Sequence, residues 1–173
     1  MSAFVATSPE EDFFFSDPTI DSCCQFGPTE ADLGNGKLFI PTIFTPDGNG
    51  LNDYFQIVTD ANIARIDTFM VIDQSNGDTV FYQTNLTDII PENGFDGTVN
   101  DTIVAAQYSY LVWLTSEDQQ SGVFSGLICS VPCVEPLGVT QPPGLGSCAF
   151  ASQHNFIDGY DPAADSGEDL DCF

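Results

Sequence analysis

Apolar and polar positions alternate in short runs between residues 37 and 133, each run closed by turn-forming residues. That pattern predicts β-strands, since no stretch keeps a helical period over several turns. Residues 38–44 are an apolar strand candidate interrupted by Pro41, which predicts an edge position or a bend because proline cannot donate to a ladder. Residues 54–58 are a second candidate. Ile66, Thr68, Met70 and Ile72 alternate with Asp67, Phe69, Val71 and Asp73, which suits a strand covered on both faces. Asn76-Gly77 supplies tight-turn chemistry before residues 79–83, and the two runs are predicted to pair as a hairpin. Residues 107–114 carry the strongest signal, with Tyr108, Tyr110 and Val112 on one side and Leu111 and Trp113 on the other. A polar turn at 116–122 leads to a last strand at 123–129. About seven short strands in about a hundred residues predict an all-β fold, an antiparallel sandwich.

The flanks read differently. Residues 1–36 are an N-terminal arm with seven acids, no Lys or Arg, the cluster Phe13-Phe14-Phe15 and the pair Cys23-Cys24. Residues 37–133 are the sandwich. Residues 134–173 are a cysteine-containing acidic extension that opens on a Pro/Gly-rich stretch. No fixed-period repeat is visible.

Charge narrows the possible partners. Twenty-six Asp and Glu stand against Lys37 and Arg65 alone, a formal net charge of −24 over 173 residues. Such a chain repels phosphate backbones and anionic headgroups, which argues against nucleic-acid binding and membrane attachment. No apolar run approaches the roughly 18 residues of a membrane span, so no direct membrane insertion is expected. The first residues show no positive n-region followed by an apolar stretch, so no secretory signal is visible. Nineteen of the acids are Asp, a residue of turns, caps and calcium loops.

The run Ile40-Pro41-Thr42-Ile43-Phe44-Thr45-Pro46-Asp47-Gly48-Asn49-Gly50-Leu51-Asn52-Asp53-Tyr54-Phe55 closely resembles the opening of the gliding-motility-associated C-terminal domain, a module of surface and secreted proteins of Bacteroidetes. Further matches follow in order at Phe69-Met70-Val71-Ile72-Asp73, Asn76-Gly77, Phe95-Asp96-Gly97-Thr98, Tyr108-Ser109-Tyr110 and Gly126-Leu127-Ile128, so the likeness covers roughly residues 38–130. Phe95 stands where that family usually has Trp, which keeps an aromatic plug. The resemblance implies an immunoglobulin-like β-sandwich, an extracellular or cell-surface location, and a role in type IX secretion and surface attachment. That family's module normally ends its protein, whereas here a tail follows it.

Several residues could carry chemistry. Asp47, Asn49 and Asp53 place oxygen donors at alternate positions with the Leu51 carbonyl between them, the way calcium loops begin. Calcium is therefore the candidate cofactor, with Asp96 or Asp101 as a possible further ligand; a turn whose Asp and Asn cap their own backbone is the alternative. The tail acids Asp158, Asp161, Asp165, Glu168, Asp169 and Asp171 read as a solvated acidic segment, with calcium binding as the alternative. His154 is the single histidine and no hydrolase, zinc-protease or P-loop motif occurs, so no enzyme is expected and His154 is given a surface or hydrogen-bonding role. Cys23, Cys24, Cys129, Cys133, Cys148 and Cys172 are disulfide candidates. Neighbouring cysteines rarely bond each other, so Cys23 and Cys24 are expected to tie the arm to two later positions, and six cysteines leave fifteen pairings open. Asn85-Leu86-Thr87 and Asn100-Asp101-Thr102 match the N-glycosylation pattern, making Asn85 and Asn100 candidates. Within the group the resemblance points to, Thr79 and Thr102 also fit an O-glycosylation pattern.

Three functions fit these features. The first is an extracellular filament or surface-assembly subunit, a homo-polymer or partner of another surface protein, in which Phe4, Phe13, Phe14, Phe15 and Phe26 dock on a neighbour. Packing of that arm on its own sandwich is the alternative. The second is a type IX sorting and anchoring module of a secreted adhesin. The third is a calcium-dependent glycan-binding module.

Overall fold

The computed structural model describes residues 23–132 and 148–168. Among them the chain is all-β. The strands are β1 (Thr29–Leu33), β2 (Gly36–Ile40), β3 (Ile43–Phe44), β4 (Val58–Thr59), β5 (Ile63–Asp73), β6 (Thr79–Leu86), β7 (Thr98–Val99), β8 (Thr102–Ile103), β9 (Ala106–Ser116), β10 (Ser121–Ser130), β11 (His154–Asn155) and β12 (Gly159–Tyr160). Two sheets face each other, ordered β1-β2-β4 and β3-β10-β9-β5-β6; β7-β8 and β11-β12 are two-stranded ribbons. The pairs are antiparallel except β3 with β10, which run parallel.

Alternation decides which side chains enter the core. Leu33, Leu38 and Ile40 from the smaller sheet meet Phe69, Val71, Tyr108, Tyr110, Val112, Leu114 and Ile128 from the larger. Phe44, Phe55 and Phe95 join them as an aromatic layer, with Phe95 edge-on to Tyr108 at 5.1 Å and tilted against Phe44 at 5.9 Å. Phe95 is thus the predicted aromatic plug, fully enclosed. The predicted hairpin is β5–β6, turning through Gly77 at φ 79°, a conformation that residues with a Cβ rarely adopt.

Some elements depart from the sequence pattern. Pro41 does more than bend a strand: it separates β2 from β3, so the apolar run 38–44 starts in one sheet and ends in the other. Residues 54–58 contribute only the start of β4 and a single bridge from Phe55 to Phe95. Thr29–Leu33, assigned to the arm, is a strand with full register against β2, Thr29 opposite Ile40 and Leu33 opposite Gly36.

The C-terminal segment 148–168 is a strap across the outer face of the smaller sheet. Phe39 points away from the sandwich core and is nonetheless completely buried, because the His154 ring stacks on it at 4.5 Å and Tyr160 at 5.7 Å. Tyr160 N–H donates to Glu30 on β1 at 2.9 Å. Of the two roles expected for His154, surface or hydrogen-bonding, the surface one fails. Its side chain is instead 4% exposed, with Nε2 at 3.4 Å from Glu30 and Nδ1 enclosed without a hydrogen-bond partner. Burial holds its pKa below the ordinary value, against the pull of Glu30.

Candidate functional site

The signature loop between β3 and β4 sits at one end of the sandwich, closed by Thr45 N–H donating to the Asn52 carbonyl at 2.9 Å. One carboxylate organises it. Asp53 accepts from the backbone N–H groups of Asp47, Gly48 and Gly50 at 3.1, 2.6 and 2.8 Å. Asp47 accepts from the Asn49 N–H at 2.9 Å, and Asn49 Oδ1 from the Leu51 N–H at 2.7 Å. Gly48 and Gly50 have φ of 80° and 91°, which lets the chain wrap its N–H groups around Asp53. The side-chain oxygens expected to ligate calcium, at Asp47, Asn49 and Asp53, are therefore acceptors for the loop's own N–H groups, the bonding of a self-capping turn. Asp96 accepts from Thr98 N–H in a separate turn. Among the described residues no three His, Cys, Asp or Glu side chains form a group able to hold a metal ion.

The loop is also the docking point of the strap. Asn52 is buried and uses both ends of its amide: Nδ2 donates to Glu168 at 2.6 Å and to the Ser166 carbonyl at 3.1 Å, while Oδ1 accepts from Ser152 N–H at 3.1 Å. Asn49 Nδ2 lies 3.4 Å from the second Glu168 oxygen. Glu168 is thus the one described tail acid that is buried, whereas Asp158, Asp161 and Asp165 are exposed. Burial pushes its pKa up; the Asn52 hydrogen bond opposes that, and the nearby Asp47 charge reinforces it. Beside the loop a cleft of 510 Å³ opens between β4, the turn Pro91–Asn93 and the strap, with Tyr54, Gln56, Ile89 and Ser152 on its walls.

Two disulfides fix the ends of the described chain. Cys23 bonds Cys129 on β10, and Cys24 bonds Cys148 at the start of the strap. The neighbouring cysteines do reach two later positions, one on the sandwich and one on the tail. With Ile43, Val131 and Phe150 the four form a second apolar cluster. Cys133, Cys172, Asp169 and Asp171 lie outside the described residues, as do Phe4, Phe13, Phe14 and Phe15; Phe26 is 77% exposed. Thr79, Asn85, Asn100 and Thr102 are all exposed, as an acceptor for glycan must be.

The site thus belongs to a disulfide-tied β-sandwich, and such bridges persist in oxidising, extracellular settings. The family model of the type IX secretion signal domain (CHU_C) matches residues 38–129, and the chain belongs to that family. The match runs from β2 to β10. It leaves out β1, Cys23, Cys24 and the whole strap, which lie outside the matched residues. The family marks secreted and cell-surface proteins, and the disulfides agree with an oxidising, extracellular setting. Neither the curated proteins nor the solved structures contain a significant match to the chain.

Sequence reasoning selected the loop but not Asn52, which carries its contact to the strap. The partners are separated by 116 positions, and nothing local to either residue announces the other.

Proposed function

We propose that the chain is a non-catalytic secretion and surface-attachment module: the sandwich is the signal read by type IX export, and the strap and β1 stiffen it for life outside the cell. The observation that carries this reading is the family match, which spans the packed sandwich from β2 to β10. Expressed behind an inner-membrane export leader, the full chain is expected to reach the medium or cell surface of a type IX-competent host. It should stay in the periplasm of an otherwise identical strain lacking that machinery; equal release from both would refute the reading.

A surface-assembly subunit is the second reading, supported by an apolar outer sheet face that could meet a second copy. Sedimentation of native secreted material tests it, with filaments or large oligomers as the supporting outcome.

A further inference from the structure

The larger sheet has an outer face that nothing described covers beyond one end. Strand alternation puts Tyr82, Met70, Leu111, Trp113, Val123 and Leu127 on it, in facing register: Met70 opposite both Tyr82 and Leu111, Trp113 opposite Val123. The positions between them are Thr68, Thr84, Ser109 and Ser125. None is charged, in a chain of net charge −24. Arg65 and Asp67 pair only at the far end, where Asp67 also accepts from Thr115 at 2.6 Å. Tyr82, Trp113 and Val123 are 60%, 47% and 61% exposed. Contiguous apolar surface of this kind marks a docking site.

We propose that this face is the seat of the chain's own Phe-rich segment, residues 4–22. Its near end is already there. Cys129 lies on the outer side of β10, because Ile128 beside it enters the core. The bond to Cys129 therefore anchors Cys23 on this face, where Gln107 Nε2 lies 3.6 Å from the Cys23 sulfur and Leu127 packs against the cysteine cluster. The distance also fits. Phe15 is eight residues ahead of Cys23, a reach of up to about 27 Å when extended. From Leu127 to Val123 is about 13 Å along β10, and from β10 to β6 about 14 Å across the sheet. Electrostatics agree with this surface, since the segment carries Glu10, Glu11, Asp12, Asp17 and Asp21 and no cation, while the Asp67 carboxylate of this face lies at its far end and is paired with Arg65. A second copy's arm has the same chemistry, but the tether at Cys23 gives the chain's own arm the higher effective concentration.

Trp113 is the only tryptophan and lies in this face, so its fluorescence reads the docking directly. Native full-length protein is compared with a variant lacking residues 1–22 and with the full-length Phe13→Ser/Phe14→Ser/Phe15→Ser variant, each confirmed folded by its thermal melt. Both variants are expected to show red-shifted emission and an acrylamide quenching constant about two-fold higher than the native chain, because a half-exposed indole regains water. In the native chain the protection should not change with protein concentration. Identical quenching in all three proteins would overturn the proposal. Protection that appears only as concentration rises, together with larger species, would overturn it in favour of a second copy's arm.

Discussion

Asp53 holds more of the signature loop than any other single side chain, since three backbone N–H groups converge on it. Asp53→Ala is expected to cost on the order of 1–3 kcal/mol in denaturant unfolding, the usual loss when charge-assisted bonds disappear. Asp53→Asn should cost less, because the amide oxygen can still accept. The same bonds account for the loop's shape, so melting in excess chelator is expected to match melting in calcium. A lower melting temperature in chelator, with calcium found by mass spectrometry in the native protein, would show that an ion shares these oxygens. Glu168 behaves oppositely. Its folded pKa is raised by burial above the ordinary 4.5, so the folded state binds the proton more tightly and stability falls as pH rises through the raised value. Glu168→Gln should therefore melt higher than the native chain at neutral pH. The gap should close as pH falls through that value toward 4.5; a constant gap across this window would count against a buried, ionised Glu168. His154 runs the other way, its contribution lost as pH falls below 6.5, and it cancels in the comparison of the two proteins. At this scale the loop was legible, because Asp, Asn and Gly at alternate positions carry their turn chemistry locally. Asn52 and Glu168 were not, because their value depends on a contact across the whole chain.

The long elements of the larger sheet were readable because alternation over many residues is hard to mistake: β5, β9 and β10 lie where their pattern put them, and the two sides expected for β9 are those observed, Tyr108, Tyr110 and Val112 inward and Leu111 and Trp113 outward. The short elements escaped. Residues 29–33 alternate Thr, Ala and Leu with Glu and Asp, a stripe too short and too weakly apolar to stand out, and they pair along the edge of β2 as β1. Likewise β11 and β12 exist to seat His154 and Tyr160 on Phe39. The strap's attachment is divisible and can be tested. Cys24→Ser/Cys148→Ser keeps the Cys23–Cys129 bond and is expected to lower stability by roughly 2–4 kcal/mol, the usual worth of a bridge closing a long loop. Hydrogen exchange should then rise first in β11, β12 and β2 around Phe39, while β5 and β9 stay protected. Uniform loss of protection would mean that the strap and the sandwich unfold as one.

At the scale of the molecule, segments on both sides of the family match pack onto the sandwich: β1 widens the smaller sheet, the strap covers that sheet's outer face, and two disulfides fasten these segments. The net charge of −24 opposes association with anionic surfaces by repulsion. The resemblance carried by residues 40–55 and the shorter matches after them was enough to imply a place outside the cell. It could not show that the tail is part of the fold, because its apolar contacts are single side chains spread among acids. The central claim is that the sandwich is a type IX export signal, and comparing where the full chain accumulates in type IX-competent and type IX-deficient hosts tests it most directly. Release or surface display only in the competent host, with periplasmic retention in the other, is the expected result. Equal release from both would contradict it.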